Sequence, residues 1–477
     1  MTSADHPALS ALPADLAAPV EPGARAELQR LLVDIESRAL PVGRLHRGWI
    51  LGALQARLAA GYLAAWLRAG FAGTDERERL RNEAHLAAAL RLLGTMGYLR
   101  GAVAKVGQLL ANWPTLAPRA FADTLAALHF EAPPMHFALL REAVRAELGR
   151  DPEEVFAEFD VRPFAAASLG QVHRARLKTG EEVAVKVQYP GIAGTIRADF
   201  ANLKALMLPL RMTRDWDNMR EQVDDIFQML ELETDYLAEA RWQELARRTL
   251  EPLPDIVVPR VHAGLSTRRV LVTDLLRGQH LDAWLAGAHP QAARDARGQQ
   301  IMAAAFRMYY DARLVWTDPH PGNLIFLPDG RLGLIDFGSC LQFSGEELEY
   351  VTIMERACDG DQQAWERGVR LGTRLPEDAV LGDEHRQLLR DFCDWLWEPL
   401  RHDGPFDLGS ATYFPRGMDL WTLAVRRRLT RNLPLNTWIN RNFIGLRALC
   451  YRLGARVDVR ALHDAARRSA PPTGDLP

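Results

Sequence analysis

In the stretch Thr317–Phe326, TDPHPGNLIF, an aspartate and an asparagine stand five residues apart, and a second aspartate follows in Ile335–Gly338, IDFG, at the end of an apolar run. Such a set of oxygen donors suits phosphoryl transfer. That chemistry needs one carboxylate to orient the phosphoryl acceptor. It also needs hard oxygen ligands for magnesium, an ion commonly held by one or two protein oxygens together with phosphates. Asp318 fits the first role, and Asn323 with Asp336 the second. A lone aspartate in a turn is ordinarily a solvated cap. The weight therefore rests on the whole pattern of aspartate, five-residue step to asparagine, short ribbon and DFG.

These residues need elements to hold them. Pro319 and Pro321 make a regular helix unfavourable and Gly322 supplies a turn, which places Asp318 and Asn323 in a stiff loop with Leu324–Phe326 as its exit strand. Between LIF and LGLIDFG lies LPDGR, a turn signal at Pro328–Gly330. The two runs are expected to pair and to bring Asn323 and Asp336 to the same end of a ribbon. His320 is expected to serve the turn or its packing, not proton transfer. A donor-phosphate lysine is available in VAVKV, Val183–Val187, where a strand would point Lys186 away from Val185 and Val187. The carboxylate to hold it should come from the next substantial helix. There ETDYLAEA offers Glu233, Asp235 and Glu239, with Glu239 the best single candidate.

The chain as a whole reads unevenly. Residues 1–24 are rich in Pro and Ala and are expected to form a flexible arm, and 25–148 read as a helical extension. In Phe164–Pro190 the period switches to that of strands, with KTGE at Lys178–Glu181 as the turn. Helical spacing resumes to about Thr249, and Ile256–Val261 with Arg269–Asp274 read as a second hairpin. The expected division is a small mixed lobe over 149–276, a helical lobe over 277–467 and a loose tail over 468–477. The fold class expected is α+β.

Composition narrows the partners. The chain has 477 residues, 58 basic against 61 acidic, for a net charge of -3, which gives no global attraction to nucleic acid. Its four cysteines are too scattered for a zinc knuckle and too few for a disulfide framework, which fits a reducing cytoplasm. The N-terminus lacks a basic region and is broken by prolines before any long apolar run, so no secretory signal is expected. The most membrane-like run, Trp49–Leu67, carries Gln55 and Arg57 near its middle and reads as a bundle or surface-lying helix. NFIGLRALCYRL is short and interrupted by Arg447 and Arg452.

Taken together, KVGQ at Lys105–Gln108, AAASLGQVH at Ala165–His173, VAVK, ETD with its following EA, DPHPGN and DFG resemble the AarF/UbiB-type atypical protein-kinase-like family, associated with coenzyme Q and isoprenoid-lipid metabolism. The resemblance implies a bilobal protein-kinase-like fold with an N-terminal helical extension, and ATP/ADP with Mg2+ as cofactors. It implies that Lys186 contacts the α- and β-phosphates, Glu239 is its helix carboxylate, Asp318 is catalytic, and Asn323 and Asp336 hold the metal.

Two departures from ordinary protein kinases matter. Where glycines would let backbone N–H groups approach the nucleotide, this chain has Ala165, Ala166 and Ala167 before Ser168 and Gly170. The resemblance implies an altered nucleotide loop that restrains protein phosphorylation. By spacing alone Lys105 and Gln108 are the wet edge of an amphipathic helix. The resemblance places that helix over the cleft, with Lys105 near Glu233 or Asp235 and Gln108 toward the nucleotide. Within the family pattern this chain departs at VWTDPHPGN, with Trp316 and Thr317 where a histidine or alanine is common.

The function so implied is a Mg-dependent ATPase or phosphotransferase supporting isoprenoid-quinone (ubiquinone) or lipid metabolism. Its expected partners are an isoprenoid or quinone-precursor ligand and a lipid-biosynthesis protein complex, with no nucleic acid. The expected location is cytoplasmic, with peripheral contact at the inner face of a membrane. Two alternatives stand beside this: a nucleotide-responsive scaffold without turnover, and a small-molecule kinase, which KVGQ and the alanine-rich loop disfavour.

Overall fold

The computed structural model describes residues 135–167, 169–207, 220, 223–224, 227–228, 230–343, 345–373, 381–427 and 434–470. The arm over 1–24, the Trp49–Leu67 run, Lys105, Gln108 and Ser168 lie outside the described residues, as does all of the 25–148 extension before residue 135. In chain order the longer helices are α1 (Phe137–Leu148), α2 (Ile192–Met207), α3 (Tyr236–Leu250), α4 (Gln291–Ala312), α5 (Glu346–Cys358), α6 (Gln362–Gly372), α7 (Asp383–Arg401), α8 (Tyr413–Arg426), α9 (Pro434–Leu453) and α10 (Val459–Ser469). The strands that matter for the site are β1 (Phe156–Phe159), β2 (Ala165–Ala167), β3 (Gly170–Leu177), β4 (Glu182–Gln188), β5 (Ile256–Val257), β6 (Val270–Asp274), β7 (Leu314–Trp316), β8 (Leu324–Phe326), β9 (Leu332–Leu334) and β10 (Cys340–Gln342). The α+β class expected from the sequence is what forms.

Packing divides the described residues into two compact units. One holds those up to Leu140, Arg162–Val172 and Gln188–Glu231; the other holds Arg141–Val161, His173–Val187 and everything described from Leu232 onward. In the first unit β2 pairs antiparallel with the opening residues of β3, Ala165 opposite Val172 and Ala167 opposite Gly170. The three alanines are thus a short regular strand.

In the second unit the strands run in the order β1-β3-β4-β6. The turn between β3 and β4 closes where the sequence signals it, with Gly180 at φ 104, a left-handed value that glycine adopts without a steric penalty. Along β4, Val183, Val185 and Val187 are fully buried, while Ala184 and Lys186 on the opposite face are partly open. This alternation is the period of two that a strand imposes.

The second hairpin expected from the sequence does not form as such. β5 pairs in parallel with β9, Ile256 opposite Leu332, and meets β6 only beyond its end through the bridge of Val261 with Thr273. Two causes act together. Ile256 and Val258 are drawn into the same buried cluster as Leu332 and Leu334, and Pro259, with no N–H to give to a ladder, interrupts the run before it reaches β6.

The ribbon of β8 and β9 has the expected antiparallel register, Leu324 opposite Leu334 and Phe326 opposite Leu332. Its outer pairs are almost completely buried against Ile301, Met302 and Phe306 of α4, which is why both runs are apolar without alternation. Helix α4 ends at Arg313, in the left-handed region at φ 50. There the chain turns into β7, which pairs antiparallel with β10, Trp316 opposite Cys340. The DPHPGN loop leaves β7 and the DFG segment enters β10, so this one pairing fixes both motifs.

The expected placement at the inner face of a membrane is corrected here. Among the described residues no helix is long and apolar enough to cross a membrane. The NFIGLRALCYRL run belongs to α9, whose Leu446, Leu449, Cys450 and Leu453 are spent in the core of the second unit. Arg447, read as an interruption, is itself buried and donates to the Tyr413 hydroxyl and the Phe443 carbonyl. The apolar face of α9 is thus taken up by the protein itself.

Candidate active site

The site begins with Lys186. Strand β4 points its side chain away from the buried valines, and Nζ meets both carboxylate oxygens of Glu239, at 2.8 and 2.9 Å. The same Nζ lies 3.6 Å from Asp336 Oδ2 and 4.9 Å from the centre of the Tyr236 ring. Burial acts to lower the Lys186 ammonium, but the charges of Asp336 and Glu239 outweigh it and hold it well above its ordinary value. Lysine is therefore the charged member that organises two carboxylates from distant parts of the chain.

Glu239 is placed by α3. Asp235 is the N-cap of that helix, its Oδ1 accepting from Leu237 N at 3.0 Å and Ala238 N at 3.3 Å. One turn in, Glu239 is only 2 % exposed, so it depends on Lys186 for a counter-charge. Glu233, just before the cap, accepts from Ser339 Oγ at 2.9 Å, immediately after DFG. Of the carboxylates in ETDYLAEA, the structure gives Glu239 to the lysine, Asp235 to the helix end and Glu233 to Ser339. Any contact of Lys105 with Glu233 or Asp235 falls outside the described residues.

Asp336 is fixed from two sides. Its Oδ1 accepts from Gly338 N at 3.0 Å, and its carbonyl accepts from the Trp316 indole at 2.9 Å. Trp316, the residue that departs from the family pattern, thus ties the start of the DPHPGN loop to the DFG aspartate. Asn323 sits beside this point because its carbonyl accepts from Ile335 N at 3.2 Å. Its Nδ2 donates to the Asp318 carbonyl at 3.0 Å, which leaves Oδ1 as the side-chain atom suited to a cation. His320 begins a 3-10 turn at Pro321–Asn323, its Nδ1 accepting from Gly322 N at 3.1 Å, a turn-forming part.

The donors present fit magnesium. Among the described residues no group of three His, Cys, Asp or Glu is arranged to hold a metal. What Asn323 and Asp336 offer is one amide oxygen and one carboxylate, the small hard-oxygen set that magnesium takes when phosphates complete its shell. Ala165–Ala167 and Gly170 belong to the other unit, as the β2–β3 pair described above.

Sequence reading missed one neighbour of Asp318. Arg441 of α9 places Nη2 3.5 Å from Asp318 Oδ1 with its side chain only 14 % exposed. Its neighbour Asn442, which is buried, donates to the Trp316 carbonyl at 2.5 Å. The only signal in the sequence is three consecutive polar residues, Asn440–Asn442, in a helix that also carries Arg447 and Arg452.

Comparison with known proteins identifies the family. A model of the ABC1 atypical kinase-like domain matches residues 127–367. The chain is 30 % identical over 442 residues to the mitochondrial atypical kinase COQ8B of Rattus norvegicus, covering 89 % of this chain and 80 % of that one. It is 31 % identical over 314 residues to the probable serine/threonine-protein kinase abkA of Dictyostelium discoideum, covering 62 % of this chain and 54 % of that protein. To AarF domain-containing protein kinase 1 of Xenopus laevis it is 33 % identical over 254 residues, 53 % of this chain and 49 % of that one. The chain thus spans about half the length of these last two relatives. Among solved structures, that of Rv3197 with erythromycin from Mycobacterium tuberculosis aligns with a TM-score of 0.53 at 24 % identity, over 83 % of this chain and 100 % of that one. At that identity the likeness concerns the fold alone.

Proposed function

Because the chain belongs to the ABC1 atypical kinase-like family, we propose that it binds ATP with magnesium and hydrolyses or transfers the terminal phosphoryl group in support of isoprenoid-quinone or lipid metabolism. The observation that carries this is the charge cluster at Lys186, in which one ammonium meets Glu239 at 2.8 Å and lies 3.6 Å from Asp336. Phosphoryl transfer asks a protein for position and charge more than for covalent chemistry. Lys186, steadied by Glu239, holds the donor phosphates. Asn323 and Asp336 hold magnesium, which supplies neutralisation of phosphate charge. Asp318, on the stiff proline-flanked loop, orients the acceptor hydroxyl or water and takes its proton. By the family resemblance, Ala165–Ala167 stand where a nucleotide loop would have glycines, which fits slow turnover and a small acceptor better than a protein. An isoprenoid or quinone-precursor molecule is the acceptor class or effector that the family suggests, and Lys105 and Gln108 are assigned the restricting role by the same resemblance.

The regular β2 strand favours one second reading. A nucleotide-responsive scaffold would keep binding and shed turnover, and an alanine strand in place of a glycine loop would serve it.

Two variants separate these. Asp336→Asn removes the carboxylate charge that holds the metal, and it should weaken magnesium-dependent nucleotide affinity by about tenfold or more. Asp318→Asn should bind nearly as wild type but lose turnover by about a hundredfold or more. Nucleotide affinity with and without magnesium, and phosphate release by the purified proteins, are the measurements. Unchanged binding in Asp336→Asn with undiminished turnover in both variants would sink the proposal. Normal magnesium-dependent binding without turnover in the wild type would favour the scaffold.

A further inference from the structure

Helix α9 reaches the DPHPGN segment at two points and the end of β7, just before it, at a third. Arg441 Nη2 is 3.5 Å from Asp318 Oδ1. Asn442 Nδ2 donates to the Trp316 carbonyl at 2.5 Å. Gly445 lies against Pro319 so closely that a Cβ there would stand 2.4 Å from the proline Cγ and 3.3 Å from its carbonyl oxygen. Arg441 and Gly445, four residues apart, share one face of the helix, and that face covers the loop from its entry at Trp316 to Pro319. We propose that α9 is a clamp that sets where the Asp318 loop sits, with Arg441 as the positioning residue for the Asp318 carboxylate. The inference rests on the reading of Asp318 as the acceptor-orienting residue.

The physical need for such a clamp lies in the loop itself. Pro319 and Pro321 bring no N–H donors, so the segment's backbone cannot join a ladder that would fix it to a neighbouring strand. At Asp318 two bonds act on its backbone: His320 N donates to the Asp318 carbonyl at 2.8 Å and Asn323 Nδ2 donates to the same oxygen at 3.0 Å. Arg441 acts on the carboxylate. Its planar fork, little exposed, restricts the direction of that group more tightly than a flexible ammonium would. A cation so little exposed there also adds positive charge near the place where transferring phosphoryl charge would develop. Rates of positioned reactions fall by about a hundredfold for a displacement of about 1 Å, so a helix distant in sequence can govern turnover without touching nucleotide. Gly445 is the sharpest probe. Alanine favours a helix interior over glycine, yet its methyl group must displace the rigid Pro319 ring.

The experiment compares Arg441→Lys, Arg441→Met and Gly445→Ala with wild type in two measurements. Amide hydrogen exchange followed on peptides covering 314–323 and, as a reference, 270–274 reads the clamp without any need for turnover. Exchange in 314–323 should speed by about tenfold or more in Arg441→Met and Gly445→Ala while 270–274 keeps its wild-type rate. Steady-state hydrolysis of Mg-ATP should show kcat lowered by about tenfold or more in both, with KM for ATP within about twofold, and partial recovery in Arg441→Lys. Unchanged exchange at 314–323 in both variants overturns the clamp. So does an equal rise at 270–274, which would make α9 a general packing element. If wild type hydrolyses nothing, the phosphoryl-transfer reading fails on its own, and the exchange result still decides whether α9 holds the loop.

Discussion

Glu239 is the residue on which the site depends most directly, because it is buried with a charge and has Lys186 at 2.8 Å to offset it. Removing one member of such a pair is worse than removing both, since the survivor keeps its desolvation penalty without its partner. Lys186→Met should therefore lower stability by about 3–5 kcal/mol, and Lys186→Met with Glu239→Leu should recover most of that loss. Chemical denaturation midpoints of the two variants check this. A double variant no more stable than the single one would mean that the pair does not act as a unit. At this scale the sequence was informative where a motif carries its own spacing, as with Asp318, Asn323 and Asp336. It gave no role to Arg441, Asn442 or Gly445, whose parts arise from tertiary approach. It offered Glu233, Asp235 and Glu239 as partners of Lys186 with Glu239 the best single candidate, and the geometry gives Glu239 to the lysine.

Among the elements, α3 matters because it carries Glu239 to the lysine, and its start is set by the cap at Asp235. Asp235→Ala should cost about 1 kcal/mol through the lost cap, whereas Asp235→Asn, an equally good cap, should be within a few tenths of a kcal/mol of wild type. Thermal unfolding of the two variants measures the difference. Equal losses in both would assign the contribution of Asp235 to its charge and not to capping. The elements legible in the sequence are those whose signal is local: the KTGE turn, the alternation along β4, and the LPDGR turn that joins β8 to β9. The mispairing of β5 shows the limit. Its apolar residues read correctly as a strand, but which ladder they join was decided by the buried cluster around Leu332 and Leu334 and by Pro259. The apolar run in α9 gave a similar ambiguity, resolved when the structure put it in the core.

For the whole molecule, the second unit gathers the proposed nucleotide and magnesium residues from separate stretches of chain: Lys186 on β4, Glu239 on α3, Asn323 just before β8 and Asp336 between β9 and β10. A ligand that touches several such segments at once can bind only where the fold has assembled them, and so it should stabilise the native state by mass action. With free Mg-ATP at about a hundred times its dissociation constant, the gain expected is about 2.7 kcal/mol. For a unit of this size that is a rise of several degrees in the unfolding midpoint. Chelation of magnesium should remove most of the gain, and Asp336→Asn should show little of it, whereas Asp318→Asn should keep it. The measurement is a thermal scan of the full chain with ATP, with magnesium, with both, and with both plus chelator. A midpoint that rises equally with ATP alone would disconnect nucleotide binding from Asn323 and Asp336. No rise under any of these conditions would remove ATP from the proposed function altogether.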